Sequence, residues 1–336
     1  MPYFLGMDVG GTKTYALAAD EGGTILGFGK AGCGSYEYHS IEAAASENQA
    51  SVSVALEESK LVLADISAVG LGVAGADLAE DFEMLEREIY TPLFGAIPRR
   101  FKNDSMAALR GGTRADYGIV IVCGTGSVCA GRNRSGEESR VGGLGPEFGD
   151  RCTGAGIGEE GLRTVWRARD GIEAPTLLTQ KFVERSGLAG VDELFRAVYR
   201  RTLPAGALEP MAKLVFEAAV EGDGAARTIL QEGGAYLAAM INAVAVKLRI
   251  NGERFDVVMA GSVFKGESPE LVDALKAGIR DRCPHAACRR PAFDPVVGAL
   301  LMAFEEAGAL SEKVYEGLEA SLPLVERRYG IALRAS

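Results

Sequence analysis

The stretch Met7-Asp8-Val9-Gly10-Gly11-Thr12-Lys13-Thr14 places an acidic residue, two glycines and a threonine between two apolar runs. Tyr3 to Met7 predicts a buried strand and Tyr15 to Ala19 its antiparallel partner, so the glycines lie at a hairpin tip. Glycine there lets backbone N–H groups approach an anion closely. The turn has neither the Gly-Lys-Ser/Thr ending of a Walker loop nor the Gly-x-Gly-x-x-Gly opening of a Rossmann helix. It therefore predicts either an ordinary hairpin or a phosphate-binding turn of a different nucleotide fold.

The same strand-turn-strand unit occurs a second time. Gly118 to Cys123 predicts a buried strand, Gly124-Thr125-Gly126-Ser127 a glycine-rich turn, and Val128 to Gly131 the returning strand. Two such turns, one in each domain, would face each other across a cleft and hold a polyphosphate from both sides. The repetition favours phosphate binding over an ordinary hairpin.

A third glycine break follows the buried strand predicted for Phe255 to Ala260. Gly261-Ser262-Val263-Phe264-Lys265-Gly266 then leads into a helix predicted near 267–277. Such a break is either a short strand-to-helix connection or a place for an adenosine. Its position after two candidate phosphate turns favours the adenosine.

Together these motifs resemble a known superfamily. Asp8 to Thr12, Gly124 to Ser127 and Ala260 to Ser262 are similar to the phosphate 1, phosphate 2 and adenosine motifs of the actin-like ATPases. Lys102 to Leu109 and Val141 to Asp150 resemble further motifs of the N-acetylglucosamine kinase branch of the BadF/BadG/BcrA/BcrD ATPase family. The resemblance runs from about residue 3 to residue 303. It implies an α/β fold of two actin-like ATPase (ribonuclease H-like) domains flanking a nucleotide cleft, and ATP-dependent phosphorylation of a sugar hydroxyl, on N-acetylglucosamine or glucosamine.

Length and composition agree with two domains, since 336 residues with 47% hydrophobic content exceed what one core usually supports. We expect an N-terminal domain at 1–116 and a C-terminal domain at 117–294. The resemblance implies a late helix that packs back on the first domain, which we place at about 295–307, and we expect a helical tail at 308–336 whose task the sequence does not reveal.

Charge and cysteine usage exclude several classes of protein. The net charge of −10 argues against a nucleic-acid partner. The N-terminus offers no signal segment and the apolar stretch around 233–246 is too short to span a membrane, which predicts a cytoplasmic protein. The six cysteines form no Cys-x-x-Cys pair and the two histidines lie outside the glycine turns, so we expect neither a zinc site nor a catalytic histidine. The resemblance also implies a homodimer.

Phosphoryl transfer to an alcohol needs a carboxylate that can accept the hydroxyl proton while ATP is held in line. Asp104 follows the short strand predicted for 99–102 and is our candidate base. The alternative is that Asp104 caps the helix predicted for 105–109. The resemblance implies the catalytic role.

The cofactors implied are ATP and Mg²⁺. Magnesium would bridge the ATP phosphates while touching the protein through one or two carboxylates and water, and Asp8 is the candidate. The lysine of the first turn either supplies charge or is solvated. The candidate nucleotide residues are Gly10, Gly11, Thr12, Lys13, Gly124, Thr125 and Gly126 for the phosphates, and Gly261, Ser262 and Lys265 for the adenosine.

The resemblance implies that the aspartate of the glycine-rich loop 142–150 binds sugar hydroxyls; alternatively this aspartate caps the helix predicted for 153–157. Three departures leave the sugar open. Where the family usually reads Gly-Asp-Glu-Gly-Ser-Gly this chain has Gly149-Asp150-Arg151-Cys152-Thr153-Gly154, Leu144 replaces a common tryptophan, and Ser35 lies where an asparagine often contacts the sugar. The candidate sugar residues are Ser35, Asn103, Asp104, Thr125, Gly143, Gly145 and Asp150.

Two other functions remain open from the sequence. In the same superfamily, ATPase activators of acyl-CoA dehydratases and reductases hold an iron-sulfur cluster between two subunits, and the loop around Cys152 resembles their cysteine-bearing loop. The Gly-Thr-Gly-Ser form of the second turn resembles the kinases instead. A relative that binds nucleotide without transferring phosphate would be expected to lose Asp104 or a phosphate turn, and this chain keeps both.

Overall fold

A computed structural model describes residues 1–204, 206–208 and 210–334. The chain divides into two compact units, Met1–Val120 with Arg289–Ser336, and Ile121–Cys288. The boundary between the two units, after Val120, falls inside a strand. It lies slightly after the boundary at 116–117 that the sequence suggested. The strands are β1 (Tyr3–Val9), β2 (Thr14–Asp20), β3 (Ile25–Ala31), β4 (Ile66–Val73), β5 (Arg99–Asn103), β6 (Gly118–Cys123), β7 (Ser127–Arg132), β8 (Glu138–Gly142), β9 (Phe255–Ala260) and β10 (Ala286–Arg289). The helices are α1 (Ile41–Ser59), α2 (Ala79–Leu85), α3 (Thr91–Phe94), α4 (Asp104–Gly112), α5 (Gly154–Arg169), α6 (Leu177–Ser186), α7 (Val191–Tyr199), α8 (Met211–Val220), α9 (Gly224–Lys247), α10 (Glu270–Arg280), α11 (Pro295–Glu306) and α12 (Glu312–Tyr329).

The two sheets have the same strand order. The first runs β3-β2-β1-β4-β5, and the second runs β8-β7-β6-β9-β10. In each sheet the first strand of the chain lies at the centre, and the next two strands along the chain lie on one side of it. The last two strands lie on the other side. The predicted α/β fold of two domains, with one strand-turn-strand unit in each, is confirmed.

The predicted first hairpin is also confirmed, because β1 pairs antiparallel with β2 from Tyr3 opposite Asp20 to Val9 opposite Thr14. On its other side β1 pairs parallel with β4, and β4 with β5. Val9 lies opposite Val73, and Val73 lies opposite Asn103. The carboxyl ends of three strands therefore meet at one edge of the first sheet.

Helix α11 packs on one face of this sheet at unusually close range. A Cβ atom at Gly6 would lie 2.2 Å from the backbone nitrogen of Leu300, and one at Gly70 would lie 1.9 Å from the carbonyl oxygen of Ala299. The rings of Phe4 and Phe304 are 4.1 Å apart. Glycine on the strands therefore lets a helix backbone lie directly against the sheet.

The C-terminal helix α12, which the sequence set apart as a tail, belongs to the first unit. Its apolar side chains join the buried cluster formed by α11 and the sheet. The Ser321 hydroxyl accepts a hydrogen bond of 3.1 Å from the backbone N–H of Ile25, at the start of β3. Tyr329 and Arg328 both bind Glu58 of α1. Helix α12 thus fastens the edge strand β3 to the core.

In the second unit, α9 is long and apolar enough to cross a membrane by length and composition, although the sequence suggested that its apolar stretch was too short. Of its most apolar window, 56% is buried inside the unit. Its buried side chains lie mainly on the faces that pack against α10, α8 and the sheet. This burial is typical of a core helix.

Candidate active site

The first glycine turn is closed by its own backbone. The N–H of Gly10 donates to the carbonyl oxygen of Lys13 at 3.0 Å, and the carbonyl oxygen of Gly10 accepts from Gly34 at 3.2 Å. The ammonium of Lys13 lies 4.0 Å from the ring centroid of Tyr15. The N–H and the carbonyl oxygen of Gly10 are therefore both engaged by backbone partners, which fixes the shape of the turn.

Asp8 lies one residue before the end of β1, opposite Gly72 of β4. A Cβ atom at Gly72 would lie 3.6 Å from the Cα atom of Asp104, at the start of α4. Burial is the main cause that raises the pKa of Asp8 well above its usual value. The carboxylates of Asp294 and Asp104 raise it further, and Lys13 lowers it in part. Several carboxylates thus converge beside the first glycine turn.

Helix α4 begins at Asp104, but the residue that caps it is Asn103. The side-chain oxygen of Asn103 accepts the backbone N–H of Ser105 at 3.1 Å. The alternative of a capping role for Asp104 is therefore wrong. Asp104 stands in the first turn, where the helix dipole favours a negative charge.

Asn103 is a candidate sugar residue, but the donors and acceptors of its side-chain amide all form hydrogen bonds within the first unit. Its nitrogen donates to the Asp77 carboxylate at 2.9 Å and to the carbonyl oxygen of Ala76 at 3.3 Å. Its oxygen accepts the backbone N–H and the hydroxyl of Ser105. An amide offers two donors and two acceptor sites, so a sugar contact would have to replace one of these bonds.

The loop after β3 carries Ser35, another candidate sugar residue. Ser35 is 1% exposed, and its hydroxyl accepts the backbone N–H of Glu37 at 3.4 Å. Behind it, the buried side chains of Thr14 and Asn48 enclose Gly34, where a Cβ atom would lie 2.4 Å from the Thr14 hydroxyl oxygen. The Ser35 hydroxyl therefore supports its own loop. Tyr38 of the same loop lies against Gly11 and is 59% exposed, so its side chain is more accessible than that of Ser35.

The second glycine turn repeats the closure of the first. The N–H of Gly124 donates to the carbonyl oxygen of Gly126 at 2.9 Å, and Gly154 donates to the carbonyl oxygen of Gly124 at 2.8 Å. Gly154 is the first residue of α5. Thr125 and Gly126 are exposed. The turn is thereby attached to the N-terminus of a helix, whose partial positive charge favours an anion.

Asp150 lies close to this second turn. A Cβ atom at Gly142 would lie 2.8 Å from a carboxylate oxygen of Asp150 and 2.9 Å from the carbonyl oxygen of Ser127. The other carboxylate oxygen accepts the N–H of Gly145 at 2.8 Å. Thr153 caps α5, accepting the N–H of Gly156 at 2.9 Å, so the alternative of a capping role for Asp150 is wrong.

The candidate adenosine residues lie beside the same turn. Gly261 adopts φ +102°, and a Cβ atom there would lie 2.2 Å from the carbonyl oxygen of Cys123. Ser262 and Lys265 line a cavity of about 610 Å³ together with Gly124 and Thr125. That volume is in the range of small-molecule sites. One cavity thus joins the candidate phosphate and adenosine residues of the second unit.

The sequence alone did not indicate that helix α8 forms one wall of this cavity. Helix α8 precedes the adenosine motif and is separated from it in the chain by the whole of α9 and β9. The ring of Phe216 packs where a Cβ atom of Gly266 would otherwise lie, at 2.3 Å. The apolar pattern of α8 predicts a buried helix, but nothing local pairs it with Gly266. The further lining residues are Gly154, Ala155, Pro210, Ala212, Lys213, Phe216, Glu217, Val220, Val263, Gly266 and Glu267.

Comparison with known proteins gives a consistent result. The model of the BadF/BadG/BcrA/BcrD ATPase family matches residues 5–303. The chain is 32% identical over 311 residues to the N-acetyl-D-glucosamine kinase of Dictyostelium discoideum. The alignment covers 89% of this chain and 97% of that kinase. The chain is 26% identical over 307 residues to the N-acetylmuramic acid/N-acetylglucosamine kinase of Clostridium acetobutylicum, covering 91% and 99%. The chain belongs to the BadF/BadG/BcrA/BcrD ATPase family.

Solved structures share the fold. A candidate N-acetylglucosamine kinase from Chromobacterium violaceum matches with a TM-score of 0.69 at 23% identity, over 90% of this chain and 99% of that one. A ROK family glucokinase from Streptomyces griseus, in complex with glucose and AMPPNP, matches with a TM-score of 0.54 at 20% identity, over 90% and 99%. Both support the two-domain ATPase fold.

One residue of the loop after Asp150 has an unusual backbone conformation. The φ of Cys152 is +63°. This left-handed conformation suits glycine and strains other residues. The Cys152 thiol is buried against Gly233 of α9, and its carbonyl oxygen accepts the thiol of Cys123. The side chain and the carbonyl group of Cys152 are therefore both packed inside the second unit.

Proposed function

We propose that this protein is an ATP-dependent amino-sugar kinase that phosphorylates a hydroxyl of N-acetylglucosamine or glucosamine. The observation that carries the proposal is the place of Asp104, a carboxylate at the first residue of α4, beside Asp8 and the first glycine turn, with the capping task taken by Asn103. A carboxylate that does not cap its helix, next to a phosphate turn, suits a base for an acceptor hydroxyl.

In this proposal ATP lies in the cavity between Gly124 and Lys265, with its adenosine against Ser262 and the wall of α8. The exposed Thr125 donates its hydroxyl to a phosphate. The in-line arrangement of acceptor and phosphate matters most, because phosphoryl transfer passes through a loose transition state. Asp104 accepts the acceptor proton late in the transfer.

Asp150 binds sugar hydroxyls in this proposal. The N–H of Gly145 fixes one carboxylate oxygen, and the position of Gly142 shows that the other lies near the second turn. A carboxylate accepts hydroxyl hydrogen bonds well. The relatives reported above are named as kinases of N-acetylated amino sugars, which supports the substrate class proposed here.

The residues of the first unit suit a Mg²⁺ ion held through water. Asp8 is disfavoured as an anion by burial and by two neighbouring carboxylates, and a divalent cation would relieve that repulsion. Among the residues that the structure describes, no group of three His, Cys, Asp or Glu side chains is close enough to hold a metal ion directly. When bound, Mg²⁺ would neutralise charge on the ATP phosphates.

The iron-sulfur activator is not favoured by the cysteines near the second turn. A cluster shared between subunits needs thiolates at the surface of each. Cys152 is 6% exposed and Cys123 is fully buried. The hydrogen bond with Cys152 and burial raise the pKa of Cys123 far above its usual value, so its thiolate is disfavoured.

We further propose that the enzyme acts in the cytoplasm as a homodimer, with a small-molecule sugar and no nucleic acid or membrane as its partner. The net charge of −10 argues against a nucleic-acid partner, and the burial of α9 argues against a membrane span. The dimer rests on the family resemblance and on the frequency of symmetric dimers among soluble proteins. Light scattering of the purified protein tests the dimer directly, because the measured mass should be twice that of the 35.4 kDa chain.

The test of the kinase is ADP release with Mg-ATP and glucosamine, N-acetylglucosamine, N-acetylmuramic acid or glucose. One amino sugar should stimulate turnover, and Asp104→Asn should lower it by about 10²- to 10⁴-fold. Asp116→Asn, on the surface of the same unit, is the matched control and should keep full activity. Turnover that no sugar stimulates, or that Asp104→Asn leaves intact, would overturn the proposal.

A further inference from the structure

Asn103 connects the start of α4 to the segment that follows β4. Its nitrogen donates to Asp77 at 2.9 Å, while its oxygen caps α4 through the N–H of Ser105 at 3.1 Å. Asn103 is 7% exposed. Its orientation is therefore set on one side by the helix and on the other by the Asp77 carboxylate.

The segment that carries Asp77 is itself fixed by Asp81. One oxygen of Asp81 accepts the N–H of Leu78 at 2.7 Å and of Asp77 at 3.1 Å. The other oxygen accepts the hydroxyl of Tyr36 at 2.7 Å. Burial and the bond to Asp81 raise the pKa of Tyr36, so the phenol stays a donor at physiological pH. The loop after β3 and the segment after β4 are thus joined at one carboxylate.

We propose that Asp77 is a positioning residue for Asp104: its carboxylate holds the Asn103 amide and so fixes the strand-to-helix junction at which Asp104 begins α4. This rests on the proposed function, in which Asp104 is the base. Asn103 immediately precedes Asp104, so rotation at this junction changes the direction of the Asp104 side chain directly. A misplacement of about 1 Å at a reacting group can cost about 10²-fold in rate.

Loss of the hydrogen bond between Asp77 and Asn103 should have a different effect on the kinetics from loss of a side chain that binds the sugar. Asn103 has no donor or acceptor left for the sugar without giving up an internal bond. Loss of the Asp77 bond should therefore lower kcat, because the base is misdirected. It should change the KM for ATP far less than kcat, since the cavity proposed for the adenosine lies in the second unit and is lined by neither Asp77 nor Asn103.

The test compares Asp77→Ala with Asp77→Asn in the full chain, using the sugar that stimulates ADP release. Asp77→Ala removes the shorter of the two hydrogen bonds that the Asn103 nitrogen donates, leaving only the one to the carbonyl oxygen of Ala76, and should lower kcat by about 10- to 100-fold. Asp77→Asn keeps an oxygen acceptor at the same place and should keep kcat within about threefold of wild type. A carboxylate that acted on the substrate itself would instead lose its role in both variants.

Asn103→Asp provides a second variant in case Asp77→Ala folds poorly. It keeps the oxygen that caps α4 but replaces the donor to Asp77 by a second carboxylate, so kcat should fall at least as far as in Asp77→Ala. Circular dichroism and the midpoint of thermal unfolding establish that each variant is folded.

The outcomes separate this inference from the proposed function. Wild-type turnover together with an unchanged kcat in Asp77→Ala and Asn103→Asp overturns the positioning role alone. Equal losses in Asp77→Asn and Asp77→Ala overturn it as well, because the charge and not the hydrogen bond would then matter. If no sugar stimulates the wild type while ATP is still bound, the kinase assignment fails, and this inference fails with it.

Discussion

Helix α4, which begins at Asp104, packs closely against α11 at Gly298. A Cβ atom at Gly298 would lie 1.9 Å from the carbonyl oxygen of Ala107 and 2.6 Å from the backbone nitrogen of Gly111. Ordinary contact begins at 3.4 Å, so Gly298→Ala requires the two backbones to move apart until the 1.9 Å approach has widened to that distance. No rotamer change can relieve the contact, because both atoms that are met belong to the backbone of α4.

Overpacking of this kind costs about 1–3 kcal/mol, which corresponds to a fall of about 2–12 °C in the midpoint of thermal unfolding. The displaced helix carries Asp104 one turn before Ala107. A shift of about 1 Å there should lower kcat by up to about 10²-fold while the KM for ATP changes little.

The assay is thermal unfolding followed by sugar-stimulated ADP release. Gly224→Ala is the matched control, because Gly224 is also helical and has no atom within 4 Å of its Cβ position. That control should be neutral or slightly stabilising, by up to about 1 kcal/mol. A Gly298→Ala protein with the unfolding midpoint and kcat of the wild type would refute the reasoning.

Three further predictions follow from the site. Asp8→Asn should abolish Mg²⁺-dependent turnover yet raise the midpoint of thermal unfolding at neutral pH, because the neutral amide lacks the charge that burial and the neighbouring carboxylates disfavour. Because the pKa of Asp8 is raised in the folded state, the wild-type protein loses stability as the pH rises through that pKa. Unfolding of both proteins without Mg²⁺ at several pH values should therefore show that the stability advantage of Asp8→Asn grows as the pH rises. An advantage confined to low pH would contradict this prediction. Phe216→Leu should raise the KM for ATP by about two- to tenfold through loss of its ring in the cavity, with the KM for the sugar unchanged; equal changes in both would argue against an ATP site there. Cys152→Gly should unfold at a higher temperature than Cys152→Ala, since both lose the thiol but only glycine relieves about 1 kcal/mol of left-handed strain, and the reverse order would show that strain is absent.

Local patterns predicted much of the fold. The hairpin at Gly10 and Gly11 and the repeat of that hairpin follow from apolar runs interrupted by glycine, and the structure has β1–β2 and β6–β7 at these places. The helix at about 295–307 followed from the family resemblance, and the structure has α11 there. The same strand order in both sheets then follows from the repeat.

Other features depend on neighbours that the sequence does not bring together. Asn103 and Asp104 are adjacent residues with similar capping preference, so a shift of one residue decided which of them caps α4. The wall of α8 depends on the packing of Phe216 against Gly266, which lies in a distant part of the chain. The burial of Ser35 and the docking of α12 depend on tertiary contacts in the same way.

The central claim is that phosphate passes from ATP to an amino sugar. The most direct measurement is mass spectrometry, with ³¹P resonance, of the products formed from Mg-ATP and N-acetylglucosamine or glucosamine by the wild-type protein. We expect a sugar monophosphate equal in amount to the ADP released, and none with Asp104→Asn. ADP accompanied by inorganic phosphate and no sugar phosphate would contradict it.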